Sequence, residues 1–418
     1  MNEPIRTAAL LGTALLRPFQ FLLYFLSGFV PRRPDLWVFG SWGGFRFADN
    51  GAAFFEFCQK RLAGSVQLVW ISRKRAIVAR LRARGFEAHL VWSPTGVMRC
   101  LRAGLHLFDC FAKDTNFWLA RGAKKVNLWS GVPLKTFERD IDNPRNRYYR
   151  VFHGPLPVRL LYGMMMPWHL HRPDMIIAMS EEARAITARA FDVPMHTVCV
   201  TGFPRNDSLF LASSGNAEAK NCPAAVLEAA RAGKKVFLYL PTFRDSGRPF
   251  VKIDWKSLEA LMERLNAVFF IKFHPVDATQ FTDASARVVQ LFQDTDVYDV
   301  MPHSNALISD YSSIIFDYML LDRPIIYYTP DLEEFIAGCR SFNFHPVDVA
   351  VGPLCSDYAQ LARALEDAAA GKTVDARGEA HRAAVMKRLH AFVDSSSGER
   401  VLEAIKRQLL TNGPAPRA

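Results

Sequence analysis

Three short motifs in the second half of the chain combine phosphate-binding side chains with the ends of predicted strands. They read PTFRD at 241–245, KFHP at 272–275 and SDYSS at 309–313. The planar guanidinium of Arg244 suits a phosphate or diphosphate, and His274 can donate a hydrogen bond to a phosphate oxygen or protonate a leaving group. A lone Arg or His is more often structural, but three motifs at three consecutive strand ends predict one anion-binding site.

The stretch from Asn305 to Tyr328 predicts the local structure that presents the third motif. An apolar strand leads into turn residues and then into an apolar helix, which Pro324 ends before the next strand. A strand that feeds a helix N-terminus presents free backbone N–H groups, and the hydroxyls of Ser312 and Ser313 add donors for anionic oxygens. The alternative is ordinary capping of the helix, since Asp and Ser are favoured cap residues.

Apolar runs of strand length alternate with helical patterns along most of the chain, which indicates parallel sheets covered on both faces. The predicted strands are 36–40, 66–72, 89–92, 105–111, 125–129 and 175–179, then 236–240, 267–273, 305–309 and 324–328. We therefore expect an α/β protein of two Rossmann-like domains that face each other across a ligand-binding cleft. This is the layout of GT-B type transferases and of many unrelated enzymes, so the fold alone does not give the reaction.

The predicted domain organisation has four parts. Residues 1–34 form an apolar and basic membrane-associating segment, 35–200 an N-terminal Rossmann-like acceptor domain, 201–396 a C-terminal Rossmann-like nucleotide-donor domain, and 397–418 a final helix and tail. Helical patterns at 359–370, 377–392 and 399–410 close the sequence.

The N-terminal segment predicts an anchor helix that lies in a membrane interface. Its two apolar pieces flank Arg17 and Pro18, and neither reaches the roughly 20 residues needed to span a bilayer. The apolar side chains at 19–26 would lie at the acyl boundary, with Arg32 and Arg33 against anionic headgroups. The alternative is a first helix buried in the protein.

Charge indicates the class of binding partner, and cysteine usage indicates the cellular compartment. Lys and Arg number 52 and Asp and Glu 41, so the chain carries a formal charge of +11, which favours a phosphorylated substrate or an anionic membrane surface. No nucleic-acid-binding motif accompanies the charge, so we expect no nucleic-acid partner. The seven cysteines form no CxxC pair and are expected to be reduced core thiols in the cytosol.

Two kinds of residue pair resemble metal ligands. Asp-x-Asp occurs twice, and His169 lies two residues before His171. The Asp-x-Asp pairs are expected in loops, and the histidines lack a nearby cysteine or carboxylate cluster, so we expect no metal at either. The Asp-x-Asp residues are Asp140, Asp142, Asp294 and Asp296.

The sequence resembles the CDP-glycerol glycerophosphotransferases, a family that builds teichoic acids and related capsule polymers. The resemblance runs from about residue 36 to residue 396. Its carriers are WVFGSWGGFRFADN at 37–50, GVPLK at 131–135, TGFPRND at 201–207, LPTFRD at 240–245, KFHP at 272–275 and SDYSSIIFD at 309–317.

The resemblance implies a GT-B fold, a CDP-activated polyol phosphate as donor, and transfer of the polyol phosphate with release of CMP, without a cofactor or metal. By the same resemblance, the acceptor side includes Asp49, Asn50 and Lys135. The donor diphosphate is expected to be held by Arg244, His274, Ser312 and Ser313, with Asp310 and Asp317 shaping the pocket.

The chain departs from the family at one position. The family typically carries a histidine in WHGxPLK, thought to act as the base on the acceptor hydroxyl, and here Ser130 replaces it. A serine hydroxyl does not accept a proton at neutral pH as imidazole does. Asp49, His169 or His171 could supply the base, and sequence leaves that choice open. His153 occurs in a similar HGP sequence, but GVPLK already fixes the register.

The leading hypothesis is therefore an enzyme at the cytoplasmic face of the membrane, peripheral or monotopic, that transfers glycerol phosphate or a related polyol phosphate to a glycan or lipid-linked acceptor. One alternative keeps the GT-B fold with a nucleotide sugar as donor. Another is a catalytically silent paralogue that binds nucleotide or assembles with a capsule complex.

Overall fold

The computed structural model describes residues 3–144, 146, 148–213, 222–242, 253–273, 284–338, 341–372 and 376–410, with side chains from residue 15 onward except at 212–213 and 336–338. The chain divides into two compact units. Unit 1 comprises Met1–Ser130, Arg147–Arg205 and Ser396–Ala418, and unit 2 comprises Gly131–Asn146 and Asn206–Ser395.

Unit 1 is built on a parallel sheet whose strands, within the described residues, follow the order β3-β2-β1-β4-β5-β6-β7. The strands are nearly continuous apolar runs because helices cover both faces of the sheet. They are β1 (Arg33–Gly40), β2 (Gln67–Ser72), β3 (Ala88–Leu90), β4 (Ala103–Phe108), β5 (Lys124–Asn127), β6 (Met175–Ala178) and β7 (Val198–Val200). The helices between them are α1 (Glu3–Ser27), α2 (Asp49–Arg61), α3 (Arg75–Ala83), α4 (Pro94–Arg102), α5 (Tyr149–His153), α6 (Leu156–Met165) and α7 (Glu181–Phe191).

Unit 2 repeats this winding with a parallel sheet of order β10-β9-β8-β11-β12-β13 in its described part. Its strands are β8 (Lys235–Leu240), β9 (Ala267–Ile271), β10 (Val288–Gln290), β11 (Ala306–Ser309), β12 (Ile325–Tyr328) and β13 (Leu354–Cys355). Its helices are α8 (Pro204–Ser213), which begins at the boundary between the units, α9 (Ala224–Arg231), α10 (Trp255–Arg264), α11 (Val297–Val300), α12 (Ile314–Met319), α13 (Leu332–Gly338), α14 (Tyr358–Ala369) and α15 (Ala376–Leu389).

Both sheets reverse their winding at one place, between β1 and β4 in unit 1 and between β8 and β11 in unit 2. In doubly wound sheets, ligands bind at the carboxyl ends of the strands beside this switch point. The predicted pair of parallel α/β units of the GT-B type is confirmed, and all ten predicted strands are present. Strands β7, β10 and β13 were missed because each has only two or three residues, too few to give an apolar run.

Two segments differ from the predicted domain organisation. Residues 131–146 were assigned to the N-terminal domain, but they are part of unit 2. The last helix, α16 (Ser397–Ile405), continues as a π-helical segment to Leu410 and belongs to unit 1, where Arg400 donates to the carbonyl of Thr201 at 2.8 Å. The return of the chain from unit 2 to unit 1 produces no apolar pattern in the sequence that could predict it.

Helix α1 continues through Pro18, and its two sides differ in character. The buried guanidinium of Arg17 donates to the carbonyl of Met165 at 2.6 Å and lies over the ring of Trp118, 5.0 Å from its centroid. Tyr24 stacks on Phe117 with ring centroids 4.8 Å apart. This side of α1 therefore packs on unit 1 through polar and aromatic groups. None of the helices in the described part of the chain combines the length and the hydropathy of a membrane span.

The prediction that Arg32 meets lipid headgroups is wrong. Its guanidinium donates to backbone carbonyls of Cys100 and Leu119 at 3.0 and 3.1 Å, and also to that of Ser27 near the end of α1. The last carbonyls of a helix lack intrahelical partners, so an arginine that donates to one of them fixes the helix end. Arg33 forms an exposed ion pair with Asp35 at 2.6 Å.

Candidate active site

The three strands that precede the phosphate-binding motifs are neighbours in the unit 2 sheet, in the order β9-β8-β11, as predicted. The residues that follow β11, and Pro241 and Thr242 after β8, lie beside the switch point. Arg244 and His274 themselves lie outside the described residues, so their predicted roles stay predictions. Asp310, Ser312, Ser313 and Asp317 are described.

Asp310 holds two of these motifs together. It follows β11 directly and is buried, and its two carboxylate oxygens accept from the backbone N–H of Thr242 at 2.9 and 3.1 Å. One of them also accepts from the N–H of Tyr311 at 2.6 Å. Because Thr242 is the second residue of the PTFRD motif, Asp310 joins the described start of that motif to the SDYSS turn across the switch point.

Asp317 is a fully buried support of the same turn, in α12. Its two oxygens accept from the Asn206 amide at 2.8 Å and from the Tyr298 hydroxyl at 2.6 Å. His390, also buried, lies close enough to Asp317 for the two charges to interact. Burial lowers the pKa of His390 to about 4, against the opposing effect of the Asp317 carboxylate. The carboxylate thus joins α12 to α8 and α11.

The two serines of the turn have less use within the protein. Both are half-buried. Ser312 Oγ accepts from the N–H of Ile314 only at 3.4 Å, and the Ser313 side chain makes no capping bond to α12. Ordinary capping therefore accounts poorly for these hydroxyls. The helix has six residues, so its dipole is small and the hydroxyls matter more as donors.

Lys135 was predicted on the acceptor side with the N-terminal domain, but it lies in unit 2. It forms an antiparallel bridge with Phe342, and the neighbouring N–H of Thr136 donates to the carbonyl of Ser341 at 2.8 Å. The ammonium lies over the ring of Phe335, 5.4 Å from its centroid, and Phe335 stacks on Tyr311.

At the carboxyl edge of the unit 1 sheet, a buried network joins Ser130 to the predicted acceptor residues. Arg205 donates from one guanidinium nitrogen to a carboxylate oxygen of Asp49 and, at 2.8 Å, to the carbonyl of Ser130. The Asn50 amide donates to the carbonyls of Leu128 and Trp129 at 3.0 and 2.7 Å. Asp49, Asn50 and Ser130 are thus brought together, around an arginine that sequence reasoning quoted within TGFPRND but did not single out.

The backbone around this network is strained. Trp42, Asp49 and Trp129 all have positive φ values, of 49°, 65° and 45°. Side chains other than glycine rarely adopt this region, and such residues persist only where surrounding contacts hold them, often at functional sites. The Trp42 indole donates to the second oxygen of Asp49 at 3.3 Å.

Two further carboxyl groups lie at this edge, and both are fully buried. Asp109 follows β4 and accepts from the N–H of Gly51 at 2.6 Å, and Asp114 accepts from the N–H of Gly43 at 2.7 Å. Burial raises the pKa of Asp109 well above its ordinary value, and the charge of Asp49 raises it further. Burial also raises the pKa of Asp114. The place of Asp109 directly after β4 was the signal that could have found it.

The candidate histidines pack against aromatic rings. His169 is buried against the rings of Phe111 and Tyr148, at centroid distances of 4.2 and 5.4 Å. Burial lowers the pKa of His171 to about 4. His153 is exposed beside Tyr149. The described part of the chain holds no group of three or more potential metal ligands, and the expectation that no metal is needed remains a prediction.

Comparison with known proteins gives consistent results. The family model described as CDP-Glycerol:Poly(glycerophosphate) glycerophosphotransferase matches residues 22–407. The chain is 26% identical over 367 residues to the teichoic acid poly(glycerol phosphate) polymerase of Bacillus spizizenii, covering 82% of this chain and 86% of that protein. It is 28% identical over 403 residues to the teichoic acid ribitol-phosphate primase of the same organism, covering 93% and 95%.

Solved structures share the fold. The wall teichoic acid polymerase TagF superposes with a TM-score of 0.72 at 21% identity, covering 97% of each chain. A Staphylococcus aureus MnaA–UDP co-structure superposes with a TM-score of 0.53 at 12% identity, covering 92% of this chain and 100% of that one. At these identities the likeness concerns the fold alone.

Proposed function

Because the chain belongs to the CDP-glycerol:poly(glycerophosphate) glycerophosphotransferase family, we propose that it transfers glycerol phosphate, or a related polyol phosphate, from a CDP-linked donor to a glycan or lipid-linked acceptor. An acceptor oxygen forms a bond to the phosphorus that carries the polyol, the diphosphate bond breaks, and CMP leaves. The observation that carries the proposal is the family match, which spans both units. The polymer would be teichoic acid or a similar capsule polymer.

The donor is assigned to unit 2. Asp310 joins Thr242, the second residue of the PTFRD motif, to the SDYSS turn, which supports a shared site. We assign the Arg244 guanidinium and the hydroxyls of Ser312 and Ser313 to one diphosphate. His274 would donate to the leaving phosphate. Preorganised donors of this kind stabilise charge that develops on a leaving group, and so can do the work that a metal does elsewhere.

A turnover assay tests the reaction. The full chain would be incubated with CDP-glycerol, CDP-ribitol or a UDP-sugar, together with an alkyl-linked oligo(glycerol phosphate) primer, with and without a chelator. CMP release from a CDP-polyol that survives chelation is expected. Turnover of the UDP-sugar alone would instead establish a glycosyltransferase. CDP binding without any turnover would establish a silent nucleotide-binding protein.

The site of action is assigned to a membrane surface, through the outer side of α1. Leu15, Phe19, Leu22 and Leu26 recur at helical spacing and are between 51% and 82% exposed, while Arg17 and Tyr24 face the protein. Helix α6 contacts α1 and has no buried residue. It adds the exposed side chains of Leu156, Leu160, Leu161 and Met164. An apolar surface of this kind suits the acyl boundary of a bilayer.

Point substitutions test this assignment better than deletion of the segment, because the inner side of α1 packs on unit 1. Leu22→Lys combined with Leu26→Lys should reduce flotation with phosphatidylglycerol vesicles at least about tenfold, since two charges would enter the acyl boundary. Val393→Lys, at an exposed apolar residue of unit 2, is the matched control. Equal flotation of the double variant and the control would show that α1 does not bind the membrane.

A further inference from the structure

The carboxyl edge of the unit 1 sheet holds the residues from which an acceptor-activating base can be chosen. Asp49, Asp109 and Asp114 are the described carboxyl groups of the network around Gly43, Gly51 and Ser130. Asp109 and Asp114 are fully buried, and burial holds both towards the neutral acid. Asp49 retains 8% of its side-chain surface and pairs with Arg205.

Neighbouring carboxyl groups whose environments drive their ionisation apart divide into acid and base roles. Here the repulsion between Asp49 and Asp109 is relieved when Asp109 keeps its proton, and the guanidinium of Arg205 compensates the charge of Asp49. Cys110, whose pKa burial also raises well above its ordinary value, adds no competing anion. Asp49 is thus the carboxyl group of this edge that pairs with a guanidinium.

The geometry around Asp49 orients the group for use. Arg205 donates hydrogen bonds to one carboxylate oxygen of Asp49 and to the carbonyl of Ser130. The Trp42 indole donates to the other carboxylate oxygen of Asp49, at a long 3.3 Å. The backbone of Asp49 and Trp129 is left-handed, with φ values of 65° and 45°. A carboxylate held in this way has its direction set before any substrate arrives.

We propose that Asp49 is the general base of the transfer reaction and that Arg205 is its positioning residue. The proposal rests on the function proposed above. The acceptor O–H gives its proton to a carboxylate oxygen of Asp49 as the acceptor oxygen bonds to the donor phosphorus. The diphosphate bond breaks, CMP carries away the electron pair, and Asp49 returns the proton to solvent.

A carboxylate is a weaker base than imidazole, but transfer of a phosphoryl group asks mainly for positioning and charge stabilisation, with little bond formation to the attacking oxygen in the transition state. The competing base is His169, a buried imidazole that packs against Phe111, the residue after Cys110. The two candidate bases predict that different variants lose activity and that the rate depends differently on pH. One series of measurements therefore distinguishes them.

The test measures CMP release from CDP-glycerol with the oligo(glycerol phosphate) primer, and CDP binding by calorimetry. Asp49→Asn should lower kcat at least about a hundredfold with CDP affinity within about twofold, because the base is lost while the donor unit is intact. His169→Gln should keep at least about a third of the wild-type kcat. Asp35→Asn, at an exposed ion pair, is the matched carboxyl control.

Asp49→Glu and Ser130→His keep the proposal testable if Asp49→Asn does not fold. Asp49→Glu retains the charge for Arg205 but moves the oxygens, and should lower kcat without lowering CDP affinity. Ser130→His places an imidazole beside Asp49 and should introduce a fall in rate across the imidazole range, near pH 6.5. The unmodified chain should show no such fall.

The outcomes separate this inference from the proposed function. If the unmodified chain releases CMP and Asp49→Asn or Asp49→Glu retains its kcat within threefold, or loses it in parallel with CDP affinity, Asp49 is not the base. Loss of turnover in His169→Gln alone would assign the role to His169. If the unmodified chain turns over no CDP-polyol, the proposed function itself fails.

Discussion

The two units place a carboxylate at the same topological position and use it differently. Asp109 follows β4 in unit 1, Asp310 follows β11 in unit 2, and each lies beside the switch point of its sheet. Asp109 binds the start of α2 through the N–H of Gly51, and burial drives it towards the neutral acid. Asp310 accepts three times from backbone N–H groups, at Thr242 and Tyr311.

The difference shows how each edge is divided into supports and ligands. In unit 2, Asp310 and Asp317 are engaged by protein donors, whereas Ser312 accepts only at 3.4 Å and Ser313 makes no capping bond. In unit 1, Asp109 is fully buried, and Asp49, paired with Arg205, keeps 8% of its side-chain surface. A motif such as SDYSSIIFD therefore combines residues that build the turn with residues that the proposed function assigns to the donor.

Replacing Asp317 by Ala should have the largest effect on stability. The change leaves the Tyr298 hydroxyl and the Asn206 amide without their buried acceptor, at 2.6 and 2.8 Å in the native protein. Loss of the acceptor for two buried donors should lower the free energy of unfolding by about 3 kcal/mol, measured by urea denaturation. Asp367→Ala, at an exposed ion pair, is the control and should change it by under about 1 kcal/mol. A loss equal to the control would show that Asp317 is no support.

Acidification should destabilise unit 2 through the histidine beside Asp317. Burial lowers the pKa of His390 to about 4 in the native protein. Between about pH 6.5 and pH 4, this histidine is therefore protonated in the unfolded chain and neutral in the native one. The contribution of the neutral His390 ring to the free energy of unfolding is therefore complete above about pH 6.5, the pKa in the unfolded chain. It is lost as the pH falls towards 4, at up to about 1.4 kcal/mol per pH unit.

Between about pH 6.5 and pH 5, the free energy of unfolding of His390→Leu should fall by about 2 kcal/mol less than that of the unmodified chain, measured by urea denaturation at each pH. His153→Leu, at an exposed histidine, is the matched control and should leave the slope unchanged. A parallel slope in His390→Leu and the unmodified chain would mean that the ring is protonated in the native state.

Much of this comparison could be read from sequence, and its limits are physical. The strands were predictable because buried parallel strands are continuous apolar runs, and SDYSS was predictable because a strand, a turn and a helix are local in the chain. The partnership of Arg205 with Asp49 was not, because it joins residues 156 positions apart. The packing of residues 131–146 in unit 2 was not predictable for the same reason, and the acceptor role of Lys135 stays a prediction.

Asp310→Ala should sharpen the contrast by loosening the donor loops while the rest of unit 2 stays folded. Without the carboxylate, the N–H of Thr242 loses its acceptors and the PTFRD loop is no longer fastened to the SDYSS turn. We expect CDP affinity to fall about tenfold by calorimetry, because the bound arrangement must then be ordered at the time of binding. Asp310→Asn, which keeps one acceptor oxygen, should lose less. If both variants kept the wild-type affinity for CDP, Asp310 would have no role in donor binding.

The smallest expected effect tests the serines that the supports leave available. Ser313→Ala should weaken CDP binding about three- to fivefold, the magnitude of one hydrogen bond from a neutral hydroxyl to a charged acceptor that water partly replaces. The free energy of unfolding should stay within about 0.5 kcal/mol, because the Ser313 side chain makes no capping bond in the native turn. Ser285→Ala is the control, since its hydroxyl accepts from the N–H groups of Arg287 and Val288 within unit 2. If Ser313→Ala lowered stability and left CDP affinity unchanged, the serine would be a cap, and the contrast between supports and ligands in the SDYSS turn would not hold.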